Sequence, residues 1–211
     1  MIDFKNDDML FSAGWNFARR CDSKITQDAM DKVVDYVASN YGYEALENWD
    51  DECVIDTRIH MLKPGWYPAI PGWHCDAIPR PNGQPDLYDE SIDRIHHFLY
   101  IVDQGTGSTT EFLNEQPKFD SFPEVPEGTN LWEVHSTEIE RRIKDGLLVP
   151  YKTKSEELLH FTARDYHTAI PATGSGWRYF FRCSFNTKHS GPYNEIRRQV
   201  QVYTPTEHSG W

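Results

Sequence analysis

His74 and Asp76 stand two residues apart in the run Trp73-His74-Cys75-Asp76. Side chains alternate on an extended segment, so His74 and Asp76 face one side while Trp73 and Cys75 face the other. An imidazole and a carboxylate placed this way can coordinate one metal ion side by side. A third ligand from a distant strand completes a two-His-one-carboxylate triad, which leaves positions open for substrate and oxygen on Fe(II). The chain has nine His, so such a pair also arises by chance. Taken alone, it reads as readily as a loop histidine beside a solvated carboxylate.

A second cluster sharpens the reading. Asp165-Tyr166-His167 is followed by Gly174-Ser175-Gly176 and then by the strand-like run from Trp177 to Phe185. A histidine ends one strand, a glycine-rich turn follows, and the next strand returns with two arginines. Arg178, Phe180, Arg182 and Ser184 share one face of it. Two guanidinium groups on an aromatic-lined face are costly to bury unless they meet anions, and their planar fork suits a carboxylate. Together, His74, Asp76, His167, Arg178 and Arg182 ask for a dicarboxylate beside a metal. The plainer alternatives are a satisfied core histidine at 167 and arginines that face solvent.

These residues need a scaffold of strands. Runs rich in Ile, Val, Phe and Tyr, bounded by turn residues, predict strands over Cys53–Leu62, Arg94–Val102, Glu157–Thr162, Trp177–Phe185 and Glu195–Tyr203. Helical spacing occurs twice. It spans about Thr26–Asn40, closed by Gly42, and about Ser136–Asp145, where Thr137 and Glu140 fit a capping box. Lys63–Ser91 carries six prolines and three glycines and reads as an ordered functional loop. Many short strands with few helices predict a mainly β fold, an antiparallel sandwich or barrel with one or two flanking α-helices. With the two-residue period, His96 and His97 face opposite sides, so at most one looks inward.

Length and charge narrow the class. The 211 residues suit a single domain, 1–211, with a helical flank over about 1–50. The 21 basic and 33 acidic residues give a net charge of -12, which argues against nucleic acid as a partner. The longest apolar run, Phe98–Val102, is far too short to span a membrane. The N-terminal residues have acids where a signal peptide needs positive charge, and the four cysteines are scattered, so a cytoplasmic protein with reduced thiols is expected. A homodimer is left open.

On these motifs the sequence resembles the Fe(II)- and 2-oxoglutarate-dependent dioxygenases. Their pattern is His-x-Asp/Glu, a long interval, a distal His, and then an Arg or Lys on the following strand. His74, Asp76 and His167 match in order and type, and Arg178 and Arg182 follow His167 by 11 and 15 residues. The stretch from Arg94 to Leu113 is similar to the family's central strand and glycine turn. The resemblance covers roughly residues 53–185 and implies a double-stranded β-helix (jelly roll). It also implies Fe(II) bound by His74, Asp76 and His167, O2, and 2-oxoglutarate bound by Arg178, with Arg182 as alternate. Arg182-Cys183-Ser184 looks like the Arg-x-Ser pair of other branches, which adds Ser184 to the co-substrate residues, and Tyr100 on the central strand joins them. The activity implied is hydroxylation or demethylation of a small molecule. Asp76 disfavours the halogenating variants, which lack that carboxylate. The chief rival is a catalytically silent jelly-roll module for binding or structure. A cupin-type dioxygenase ranks below it, for want of a His-x-His signature.

Overall fold

The computed structural model describes residues 7–42, 44, 53–81, 83, 85–187 and 193–204. Residues 1–6, 43 and 45–50 of the expected N-terminal flank lie outside them. The strands are β1 (Met9–Phe11), β2 (Cys53–Leu62), β3 (His96–Gln104), β4 (Thr110–Leu113), β5 (Pro150–Lys152), β6 (Leu158–Thr162), β7 (His167–Ala169), β8 (Gly176–Phe185) and β9 (Glu195–Arg197). The helices are α1 (Trp15–Arg19), α2 (Lys24–Tyr41) and α3 (Leu131–Lys144). No helix among the described residues is long and apolar enough to cross a membrane.

A four-stranded antiparallel sheet in the order β2-β8-β3-β6 forms the frame. Its outer face follows from alternation. Cys53, Ile55, Phe98, Tyr100, Val102, Tyr179, Phe181 and Cys183 pack against Met30, Val33 and Val37 of α2 in one apolar core. Ser23 caps α2 by accepting a hydrogen bond from the Thr26 amide, and Gly42, at φ 85°, ends it in a conformation that costs a glycine nothing. On the inner face Leu99, Ile101 and Phe161 meet Phe112 of β4, which joins the frame to a three-stranded sheet in the order β5-β4-β7.

As expected, the fold among the described residues is mainly β with few helices, arranged as open antiparallel sheets; these pairings do not by themselves establish a jelly roll. The segment beside β7 adds no strand among the described residues. It meets β7 through the isolated bridge His74↔His167. Prolines at 68, 71 and 79 cannot donate to a ladder, which keeps this stretch irregular.

Two boundaries also differ from expectation. Helix α3 starts at Leu131 because Asn130, not Thr137, caps it, accepting from the Trp132 amide at 2.9 Å. The last strand is short. After β9 pairs with β1, the next backbone pairing among the described residues is the isolated bridge Tyr67↔Tyr203, to the loop that follows β2.

Candidate metal centre

Backbone pairing brings the first two ligands together. The His74 amide donates to the His167 carbonyl at 3.1 Å, and the His167 amide donates to that of His74 at 3.0 Å. Residues directly opposite in an antiparallel pair present their side chains to the same face, and the two imidazole rings lie 4.6 Å apart. Asp76, two residues further on, returns to that face. Trp73 and Cys75 point instead into a second apolar core with Trp132, Ile139 and Tyr166. Directly after Asp76, Ala77 sits at φ 59°. A left-handed alanine is uncommon away from a constrained site, and here it turns the chain out of the bridge.

The ring nitrogens are assigned by their partners. His74 Nδ1 lies 2.9 Å from the Gly72 carbonyl, and His167 Nδ1 lies 3.0 Å from that of Asp165. A carbonyl only accepts, so each Nδ1 carries the proton and each Nε2 keeps a lone pair for a metal. His74 Nε2 is 3.8 Å from Asp76 Oδ1, and His167 Nε2 is 3.4 Å from Asp76 Oδ2. One ligand atom from each residue falls within 4.8 Å of the others. Burial, with the neighbouring His167, lowers His74 to about 4, which keeps it neutral and fit to coordinate. Burial alone would raise the Asp76 carboxyl, but Arg182, His167 and His74 outweigh it and hold the group well below the usual range. Two imidazoles and one carboxylate on one face suit a divalent transition metal.

Arg182 does not stand free for a co-substrate. It donates to Asp76 Oδ2 and lies 3.5 Å from Asp56 Oδ2, so it ties the ligand carboxylate to β2. Burial opposes its charge, but Asp76 and Asp56 more than offset this and raise its pKa. Ser184 meets His97 Nδ1 at 2.8 Å and orients that ring. Tyr100 does not join the site. By alternation it lies on the outer face of the sheet, in the core against α2. His96 also faces outward, where it meets His160, while His97 faces inward.

Arg178 is almost wholly buried and donates through Nε to the Ser108 carbonyl at 2.7 Å. It is placed there by a glycine contact. A Cβ on Gly174 or Gly176 would collide with the carbonyls of Gly105 and Gln104, so only glycine lets this turn stack on the turn after β3. Arg178 makes no ion pair among the described residues. Burial and then the nearby Arg58 cation lower it to about 9, with Asp103 acting weakly the other way. Arg178 and Arg58 both stack on the Phe180 ring, at 5.5 and 5.6 Å.

Two cavities meet at the triad. A smaller one of about 300 Å³ is lined by Arg178, Arg58, His60, Thr110, His167 and Tyr203. A larger one of about 560 Å³ runs toward Phe11, Asp56, Arg80, His97 and Tyr193. His74, Asp76, Arg58 and Arg182 belong to the walls of both. In the smaller cavity Arg58 Nε is buried without a hydrogen-bond partner among the described residues, and the buried His60 ring has the Pro68 backbone carbonyl beside it. Burial first, then Arg178 and Arg58, push His60 well below the usual histidine range, so it stays neutral. Asp56 and Arg58 were not among the residues expected from sequence. Their signal is the spacing Asp56, Arg58, His60, a polar stripe on one face of a strand whose other face is Ile55, Thr57 and Ile59.

No family model matches the chain, and no curated protein does. Solved structures similar to it include EvdMO1, at 14% identity and a TM-score of 0.37, covering 85% of this chain and 47% of that one. The chain thus spans about half the length of EvdMO1. A non-heme monooxygenase, ThoJ, in a nickel complex, is 11% identical with a TM-score of 0.39, covering 97% of this chain and 83% of its own. HygX from Streptomyces hygroscopicus with iron bound is 9% identical with a TM-score of 0.35, covering 90% and 86%. At these values the likeness decides neither fold nor activity, and both rest on this chain's own residues. The resemblance to the 2-oxoglutarate dioxygenase superfamily is corrected here: no family model carries it. A His-x-Asp pair, a distal His and a following Arg are few residues, and any site that joins a metal to an anion calls for them.

Proposed function

We propose that this chain is an oxidoreductase, a mononuclear non-haem iron oxygenase that hydroxylates or demethylates a small molecule with O2 and a 2-oxo dicarboxylate, 2-oxoglutarate, as co-substrate. Family membership forms no part of this reading. The observation that carries it is the facing of three ligand atoms within 4.8 Å beside a buried Arg178 that lacks a carboxylate partner among the described residues. His74, Asp76 and His167 would hold the iron. When bound, the metal supplies the centre at which O2 is reduced as 2-oxoglutarate loses CO2, one oxygen atom entering succinate and the other the substrate.

The chain's own residues do the rest. The Gly72 and Asp165 carbonyls fix both imidazoles with Nε2 inward, and Arg182 holds Asp76 in place. Arg178 would pair with the far carboxylate of the co-substrate in the smaller cavity, and Arg58 and His60 offer it further donors. Phe180 and Ala169 line that cavity too, and such apolar walls favour the exclusion of water.

The test is anaerobic loading with Fe(II), followed by succinate formation from 2-oxoglutarate once O2 is admitted. The wild-type protein is expected to form succinate slowly without a primary substrate. Arg178→Gln is expected to raise the 2-oxoglutarate requirement roughly tenfold to a hundredfold, the cost of losing one charge-assisted pair. Succinate formation at the wild-type rate by His167→Ala would overturn the assignment. Failure to take up either Fe(II) or 2-oxoglutarate would make the chain a binding module instead.

A further inference from the structure

The larger cavity is walled by two of the three candidate ligands, His74 and Asp76. Its wall carries Arg58, Arg80 and Arg182 against two carboxylates, Asp56 and Asp76. Arg182 is committed to both carboxylates, and Asp56 also has Arg197 at 3.7 Å. Arg80 has no such commitment: it makes no ion pair and no side-chain hydrogen bond among the described residues. Beside it in the lining, Arg58 Nε is a buried donor, Thr187 Oγ1 a buried hydroxyl able to donate and His97 Nε2 a buried ring nitrogen, none with a hydrogen-bond partner among the described residues.

A buried donor without an acceptor costs about 1–3 kcal/mol, and more when the group is charged. Several gathered on one wall therefore mark a place for an acceptor-rich occupant. The sign of the charge agrees. In a chain of net charge -12, this wall is cationic, and a divalent metal on the triad would make it more so. The remaining wall is apolar and aromatic, with Ile78, Trp132 and the stacked rings of Phe11 and Tyr193 at 6.1 Å.

Resting on the reading that the triad holds a metal, we propose that the primary substrate is a small organic anion whose acidic group is held by Arg80 and Arg58 and whose apolar part lies against Phe11 and Tyr193. Carboxylate and phosphate share this chemistry, and the experiment separates them.

Protein loaded with Mn(II) and saturated with 2-oxoglutarate is titrated calorimetrically with phenylacetate, hexanoate and phenyl phosphate. Each is set beside its neutral partner: phenylacetamide, hexanamide and phenol. At least one anion is expected to bind tenfold or more tightly than its partner. The phosphate against the two carboxylates then tells which acid the cavity prefers. Arg80→Gln is expected to weaken that anion roughly tenfold to a hundredfold. Neutral partners that bind as well as the anions would overturn the inference, as would an affinity that survives both Arg80→Gln and Arg58→Gln. Uptake of Mn(II) and 2-oxoglutarate without any anion binding would overturn it while leaving the metal site standing. Failure of Mn(II) or 2-oxoglutarate to bind would overturn the metal reading and this inference with it.

Discussion

The two faces of the β2-β8-β3-β6 sheet are built from alternate residues of the same strands, yet they solve opposite problems. The outer face is apolar and satisfied. Its deeply buried hydroxyls have partners: Tyr179 meets Thr26 of α2 at 2.8 Å, and Thr57 accepts from the Leu10 amide at 2.7 Å. The inner face carries Arg58, His60, His97, Arg178 and Arg182, and Arg58, His97 and Arg182 each have a buried nitrogen with no hydrogen-bond partner among the described residues. Stability alone would not select such a face, because buried unpaired donors cost free energy that an apolar residue would not. The contrast sets the candidate metal centre and its cavities on one side of the sheet and the main apolar core on the other.

The sharpest way to break the contrast is to damage each face in turn. Phe181→Ala on the outer face removes a fully buried ring and is expected to cost about 3–5 kcal/mol in chemical denaturation, with metal uptake by the surviving folded protein intact. Arg182→Met on the inner face takes the cation from Asp76 and leaves Asp56 only the more distant Arg197, a loss also of about 3–5 kcal/mol. Here added divalent metal is expected to restore part of the loss, because it too neutralises Asp76. Equal metal rescue of both variants would erase the distinction between the faces.

The pH dependence of stability gives a smaller effect. Burial lowers His97 to about 3, and burial lowers His135 to about 4 with help from Arg142. In the unfolded chain both take up protons near 6.5. The unfolded state therefore binds protons first as pH falls, so stability is full above about 6.5 and declines below it toward about 4 and 3. In metal-free protein, His97→Gln is expected to make this decline shallower in denaturation series from pH 7.5 to 4.5. A slope unchanged by that substitution would place the proton uptake elsewhere.

Much of this was legible in the sequence because alternation is a strong local signal. The strands β2, β3, β6 and β8 fall close to their predicted ranges, and the shared face of Arg178, Phe180, Arg182 and Ser184 follows from period two alone. What alternation cannot supply is register across strands. Only pairing shows that Arg182 lies opposite Asp56 and so is spent on an internal ion pair. It also shows that Tyr100 lies opposite Phe181 on the outer face, so it cannot reach the cavity. Arg80 was hidden for a different reason: a proline-rich loop has no periodicity from which to read a direction. The pairing beside β7 was the least legible part, since a bridge of two hydrogen bonds and a full strand there look alike in sequence.

The most direct test of the central claim is Fe(II) titration under anaerobic conditions, with metal content read after removal of free ion, for the wild-type chain and for His74→Ala and His167→Ala. The account predicts one iron per chain in the wild type and affinity weakened more than roughly a hundredfold in each variant, with both variants still folded. A wild-type chain that retains no iron, or variants that retain it as firmly, would contradict a metal centre at His74, Asp76 and His167.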